Sequence, residues 1–331
     1  LMVQEILRGQ GYLTLAVTGG GNMSKAQAFW RGFVAFDDRP GSVAAQKHRL
    51  LSLLDRYGDV DQPRFILFHT YEIHSPYAAP PRYNRMFGRP QSSFEPTSEN
   101  LLEYVNTAKR ALAPADLEHI EARYDAEIRF TDDVLRQIFA QLGERGVLDD
   151  AIVIITADHG EEFGEHGGLM HRAYLYDELI HVPLIMWGHG RVPPRVDDRM
   201  VSSVDIAPTI LAAAGAATPE AMAGRDLLAP APVADLDDAV FSQYGRSRYA
   251  IRTRRWKLIV NPPPRGPELY DLEHDPGERS NLAPAQPHTV ERLRRRLDAW
   301  RSGLSTLGGA PEQVDLTAAE RERLEALGYV E

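Results

Sequence analysis

The sequence predicts an α/β fold: a mainly parallel sheet sandwiched by helices, followed by a small C-terminal antiparallel sheet with helices. Three observations predict it. Apolar runs with β-branched residues alternate with stretches of 3–4 apolar spacing through the first two thirds of the chain. The last third changes to short strand-like segments between basic or Pro-rich turns. The 331 residues are 43% hydrophobic and 25% charged, the balance of a globular chain long enough for one large α/β domain and an appendage. The expected division is residues 1–234 for the α/β domain and 235–331 for the smaller α+β part.

The opening segment, with Met2, Val3, Ile6 and Leu7 apolar, reads as a helix ending at Gly9 or Gly11. It carries no cap at its start, so the chain is expected to begin partway through a domain. Tyr12–Thr18 reads as a short strand and Gly19–Asn22 as a loop. Ala44–Tyr57 reads as a helix. Arg64–Tyr71, an apolar run after Pro63, reads as a buried strand, and a long loop through His74 and Pro80-Pro81 follows. Ser98–Ala113 and Pro114–Gly143 are expected helices. The second keeps 3–4 spacing through Ile120, Tyr124, Ile128, Val134, Leu135, Ile138 and Leu142.

Ala151–Thr156 is the clearest buried strand, Val182–Trp187 another, and Val204–Gly215 a helix. Ala229–Leu236 reads as a linker rich in Pro, Ala and Asp. Ala239–Tyr244, Tyr249–Thr253, Trp256–Asn261 and Glu268–Asp271 are then expected as an antiparallel sheet. An Arg-rich helix over Thr289–Leu304 and a last helix over Thr317–Leu327, with a capping box at Thr317 and Glu320, complete the chain.

Composition excludes several functions. The net charge is 37 − 47 = −10, without the basic footprint of a general nucleic-acid binder. No run of 18 apolar residues exists, so no membrane span is expected. Cysteine is absent, which excludes disulfides, zinc–thiolate sites and a cysteine nucleophile within these residues. No signal peptide is visible. Arginine far outnumbers lysine, a composition typical of a GC-rich bacterial source. The Gly19–Gly21 loop matches neither a P-loop nor a dinucleotide fingerprint, and no Gly-x-Ser-x-Gly elbow occurs.

The densest polar cluster runs from Thr156 through Asp158-His159-Gly160-Glu161-Glu162 to His171. An apolar strand delivers Asp158 and His159 at its carboxyl end, where open α/β sheets place ligand sites. A carboxylate beside an imidazole on such a turn can hold a divalent cation. The bland alternative is a solvated loop; strand, turn and residue types together favour the metal reading. His74 follows an earlier strand and gains weight from that second strand end. His171, or less strongly His166, could protonate a leaving oxygen. His69 reads as a satisfied core residue, Asp132-Asp133 as solvent-facing acids. The cluster Arg246, Arg248, Arg252, Arg254, Arg255 and Lys257 reads as exposed faces of small strands rather than a steering patch.

Thr156-Ala-Asp-His-Gly-Glu-Glu-Phe-Gly-Glu-His-Gly, Leu175-Tyr-Asp-Glu and Val182-Pro-Leu-Ile resemble the sulfatase family of the alkaline-phosphatase superfamily. His74-Ser-Pro-Tyr resembles that family's sulfate-contacting histidine segment. Ile251-Arg-Thr-Arg-Arg-Trp-Lys-Leu-Ile and Glu268-Leu-Tyr-Asp-Leu-Glu-His-Asp-Pro-Gly-Glu-Arg-Ser-Asn-Leu resemble its C-terminal subdomain. The motifs stand in family order along almost the whole chain.

The resemblance implies an alkaline-phosphatase-like fold and hydrolysis of a small-molecule or glycan sulfate ester. It implies one divalent cation, Ca2+ first, with Mg2+ or Mn2+ as alternatives. Asp158 and His159 would hold the cation, His74 would contact sulfate and His171 would stand at the leaving side. The family's formylglycine arises in a Cys/Ser-x-Pro-x-Arg segment that this chain lacks, as it lacks the first strand's acid pair. The expectation is therefore a fragment that is nearly inactive alone. Its full-length parent is expected to be extracytoplasmic, periplasmic or secreted, if it carries a signal peptide. Rival readings are a phosphonate monoester hydrolase, phosphodiesterase or phosphoethanolamine transferase of the same superfamily, or a non-catalytic binder of sulfated ligands.

Overall fold

A computed structural model describes residues 2–304 apart from 59–60, 89–91, 93, 108–111, 172 and 231–237. Parts of the expected helix over Ser98–Ala113 and of the linker Ala229–Leu236, and all of the last helix over Thr317–Leu327, lie outside the described residues. The chain divides between Ala151 and Ile152 into two compact units, each described by itself.

The first unit opens with helix α1 (Val3–Gly9) and strand β1 (Leu13–Val17). After β2 (Ala35–Asp37) come helix α2 (Val43–Tyr57) and β3 (Arg64–Phe68). Helices α3 (Pro81–Asn84), α4 (Ser98–Thr107) and α5 (Pro114–Glu144) complete it. The strands form a parallel sheet in the order β2-β1-β3, with Leu15 beside both Ala35 and Ile66. All five residues of β1 are buried, as a central parallel strand requires. β3 is only half-buried and ends at Phe68, because it forms the edge of this three-stranded sheet.

Helix α2 starts at Ser42, whose hydroxyl accepts from the Ala45 amide at 3.3 Å. Its Val43, Leu50 and Leu54 pack with Val134, Ile138 and Leu142 of α5 over β1. Pro114 stands in the first turn of α5, where its missing N–H costs nothing. Asp116 accepts from the Ala113 amide at 3.1 Å. The stripe Ile120, Ala126, Phe130, Val134, Ile138, Leu142 is the helix's buried face. The loop expected around Pro80-Pro81 contains α3, for which Pro81 presets the first turn.

The second unit begins with β4 (Val153–Thr156), then the small strands β5 (Glu162–Phe163) and β6 (Leu169–Met170). Helix α6 (Asp177–Ile180), β7 (Leu184–Trp187) and α7 (Ile206–Ala213) follow. β8 (Val240–Tyr244), β9 (Arg248–Arg252), β10 (Trp256–Val260), β11 (Pro267–Asp271) and helix α8 (Pro287–Leu304) end the described chain. β4 pairs with β7 antiparallel, Ile155 opposite Ile185, and β5 pairs with β6. The C-terminal sheet is antiparallel throughout, in the order β11-β10-β9-β8.

Leu293 and Leu297 of α8 cover Ile251, Leu258 and Leu269 of that sheet, and Trp300 stacks on Phe241 with centroids 5.0 Å apart. The sheet's other face carries Ala250, Ile259 and Tyr270, which pack with Leu175 and Tyr176 ahead of α6. Part of the basic cluster departs from its sequence reading: Arg246, Arg254 and Arg255 are exposed as expected, whereas Arg248 and Arg252 are half-buried and Lys257 is not exposed at all. Lys257 is fully buried, with Nζ 2.7 Å from both Asp177 and Glu278. Arg252 also pairs with Asp177 at 3.0 Å, and Arg255 with Asp271 at 2.8 Å. Lys257 faces two carboxylates because an unpaired buried ammonium is prohibitive, whereas the half-exposed Arg255 makes a surface pair.

Candidate functional site

In the first unit, His74 sits in the loop after β3. Its Nδ1 lies 2.7 Å from the Ser75 carbonyl oxygen, which can only accept, so Nδ1 carries the proton. Its backbone amide donates to Tyr71, whose ring packs edge-on to it at 5.9 Å. A cis peptide joins Ser75 to Pro76. Helix α5 pins the loop from behind. Glu127 accepts from the Ala78 amide at 2.6 Å, and Arg123 donates to the Tyr77 carbonyl at 3.2 Å. On the same loop, Glu72 accepts from Val43 at 2.5 Å, at the start of α2.

Glu127 is buried. Burial, reinforced by the nearby charge of Glu72, pushes its carboxyl up to about 8. Glu72 is also raised, by burial. Sequence reasoning passed over both. Glu127 had a signal, an acid seven residues after Ile120 on the buried stripe of an amphipathic helix. The Gly-rich loop has a local reason as well: a Cβ on Gly19 would meet the Tyr71 ring at 2.6 Å. His69 is half-buried, its ring edge-on to Tyr71 at 4.7 Å. Asp132 is exposed as expected, but Asp133 accepts from the Tyr83 hydroxyl at 3.1 Å.

In the second unit, β4 ends at Thr156 and the next turn presents Asp158 and His159. His159 Nδ1 donates to the Gly160 carbonyl at 2.9 Å. In the neutral ring, Nε2 therefore holds the lone pair. That nitrogen stands 3.8 Å from Asp158 Oδ1. The separation is too long for a hydrogen bond but suits two atoms bound to one cation at ~2.0–2.6 Å each. The Asp158 side chain is 68% exposed, so an ion reaches it from solvent. These two residues thus fit the divalent cation that the sequence motif implies.

Gly160 is needed for close approach rather than for an unusual backbone angle. A Cβ there would lie 1.9 Å from the Glu178 carbonyl oxygen, and the Gly160 amide donates to Leu179 at 2.8 Å. The hairpin β5–β6 then carries the chain back to His171. Met170, just before it, adopts φ +64, a left-handed conformation that a non-glycine residue adopts at a cost of ~1–2 kcal/mol. His171 stacks on His159 with ring centroids 4.1 Å apart. Its Nδ1 lies 3.1 Å from Glu161, a buried carboxylate that sequence reasoning did not single out. Asp158, His159 and His171 therefore stand together in one unit, and His74 belongs to the other.

His166 is almost enclosed. Its Nδ1 is 2.5 Å from Glu178 and its Nε2 3.0 Å from the Glu278 carbonyl oxygen, while its ring stacks flat on Tyr176 at 3.5 Å. It belongs to a structural junction, not to the turn's open side.

Comparison with known proteins adds independent findings. A family model described as Sulfatase matches residues 2–216, and one described as N-sulphoglucosamine sulphohydrolase, C-terminal, matches 164–302. Arylsulfatase K of Mus musculus is 32% identical over 210 residues, 59% of this chain and 38% of that protein. The chain thus spans well under half the length of the first curated relatives it matches. The multifunctional alkaline phosphatase superfamily protein PehA of Trinickia caryophylli is 27% identical over 288 residues, 72% of this chain and 56% of that protein.

Among solved structures, a phosphonate monoester hydrolase from Silicibacter pomeroyi aligns with a TM-score of 0.73 at 21% identity, covering 91% of this chain and 79% of that one. A protein solved with its substrate D-glucosamine-2-N,6-O-disulfate aligns with a TM-score of 0.68 at 18% identity, covering 91% and 81%. At these identities the likeness establishes the fold.

Proposed function

Because the chain belongs to the sulfatase family, whose alkaline-phosphatase-like fold it shares, we propose that it acts on sulfate monoesters as a metal-dependent sulfuric-ester hydrolase. The observation that carries this reading is the 3.8 Å separation of Asp158 Oδ1 and His159 Nε2, with His159 Nδ1 occupied by a carbonyl. These two residues would hold the cation, Ca2+ first, and the bound ion would polarise sulfate oxygens. His171, steadied by Glu161, holds or gives a proton at the leaving oxygen. His74 contacts the sulfate. The 331 residues contain no cysteine, and the reading assigns no nucleophile among them.

The substrate class is a small-molecule or glycan sulfate ester. Residues 1–234 form the catalytic domain and 235–331 the C-terminal subdomain, a boundary that limited proteolysis tests. An extracytoplasmic location accompanies the reading; among the described residues, no helix is long and apolar enough to cross a membrane.

A second reading, hydrolysis of phosphonate monoesters, is favoured by one observation: the phosphonate monoester hydrolase from Silicibacter pomeroyi aligns with a TM-score of 0.73, against 0.68 for the protein solved with a disulfated glucosamine. The deciding experiment is equilibrium binding and turnover of an aryl sulfate and a phenyl phosphonate ester, with and without Ca2+, in the wild-type chain and Asp158→Asn. Cation-dependent preference for the sulfate supports the first reading, and for the phosphonate the second. Binding indifferent to both the cation and the substitution refutes each.

A further inference from the structure

A second group of metal-ligating side chains lies in the same unit. Glu162 opens β5, His166 stands in the turn before β6, and Glu178 is on α6. Each offers one ligand atom, and these atoms lie within 4.8 Å of one another.

The hydrogen bonds show what the group lacks. His166 Nε2 faces the Glu278 carbonyl oxygen, so Nε2 carries the proton. In the neutral ring, Nδ1 then presents a lone pair, and it faces Glu178 Oε1 at 2.5 Å. Two acceptors so close must share a proton or a metal ion. Glu162 supplies an independent indication. Its Oε1 accepts from His166 and Gly168 amides at 3.1 and 2.7 Å. Its Oε2 has no hydrogen-bond partner among the described residues, although the residue is 0% exposed. Leaving a carboxylate oxygen buried and unanswered is costly. Burial also raises the Glu162 carboxyl above its ordinary range, and the charge of Glu178 adds to it.

We propose that Glu162, His166 and Glu178 bind one divalent transition ion, of the zinc or manganese kind, at a site separate from the Asp158–His159 pair. One imidazole with two carboxylates suits such ions better than Ca2+, which takes oxygen ligands. The bond from His166 Nε2 to a backbone carbonyl is the outer contact by which a ligating histidine keeps its tautomer. The ion takes the place of the proton otherwise held between Nδ1 and Oε1. The two atoms then move apart slightly, since ligands at ~2.0–2.2 Å from one ion stand roughly 3 Å from each other. Bound there, the ion ties hairpin β5–β6, and through it His171, to α6. Neither Asp158 nor His159 takes part, so this site stands or falls independently of the hydrolytic reading.

The test is zinc binding to the whole 331-residue chain, by calorimetry and by metal analysis after gel filtration. Asp158→Asn alone, and His166→Ala and Glu178→Gln each added to Asp158→Asn, are run in parallel, so that the Asp158–His159 pair takes up no zinc in any of them. A single Zn2+ should stay with Asp158→Asn and bind at least ~100-fold more weakly to the other two. Should His166→Ala fail to fold, the visible spectrum of Co2+ bound to Asp158→Asn decides, with and without Glu178→Gln, because bands that Glu178→Gln removes come from an ion held by this group. Uptake that survives His166→Ala and Glu178→Gln, uptake that Asp158→Asn removes, or no uptake at all overturns the proposal. The group is then a plain histidine–glutamate contact.

Discussion

The ring of His171 lies on the ring of His159, with 27° between their planes. An ion on His159 Nε2 would therefore sit close to the group proposed to serve the leaving oxygen. The two residues should still separate by assay. Asp158→Asn or His159→Ala should weaken Ca2+ binding at least ~10-fold, whereas His171→Ala should leave it nearly unchanged. Calorimetry on the purified variants checks this. Equal losses in all three would show that His171 belongs to the cation site and not to the leaving side.

Gly160→Ala should be severe although it adds one methyl group. The added carbon would overlap the Glu178 main chain, which cannot swing aside as a side-chain tip can. We expect a cost of about 1–3 kcal/mol and displacement of the Asp158–His159 turn. Thermal unfolding together with Ca2+ calorimetry tests both parts, and wild-type values in each would show that the contact relaxes freely.

Lys257→Met should destabilise the second unit by about 3–5 kcal/mol, because Asp177 and Glu278 lose their buried counter-charge. Burial alone would lift Asp177, but Lys257 and Arg252 outweigh it and hold the carboxyl below its ordinary range. Adding Asp177→Asn and Glu278→Gln to Lys257→Met should recover much of the loss. Urea unfolding of the single and triple variants measures the difference.

Glu127 makes stability depend on pH with a definite sign. Its folded carboxyl is raised to about 8 from the ordinary 4.5, so the folded chain keeps a proton that the unfolded chain releases. Stability is unaffected by this group below about pH 4.5 and falls as pH rises from there to about 8. Glu127→Gln keeps an oxygen for the Ala78 amide and removes the ionisation. It should flatten that slope and raise the thermal midpoint at pH 8.5. Parallel slopes for the two proteins across pH 5–8 would refute the assignment.

Much of this was legible from local pattern. Residues 13–17 and the stripe from Ile120 to Leu142 announced a central strand and its covering helix. The four C-terminal strands announced themselves by short length and turn chemistry. Asp158 and His159 were legible because a β-branched strand ends just before them. What stayed hidden depends on partners distant in sequence. Lys257 reads as a surface cation until Asp177, 80 residues away, is placed beside it. The antiparallel direction of β4 against β7 was hidden because a four-residue apolar run fits either direction. The burial of Glu162 was hidden because adjacent acids in a loop look solvated.

Glu278 holds φ +53 while its side chain takes Lys257 and the Asp177 amide and its carbonyl takes His166. Anyone trimming this polypeptide for expression therefore faces a constraint. A cut placed ahead of β8, though it falls in a Pro- and Ala-rich stretch that invites it, would strip the footing from the histidine-bearing hairpin. Shortened versions should keep everything through α8.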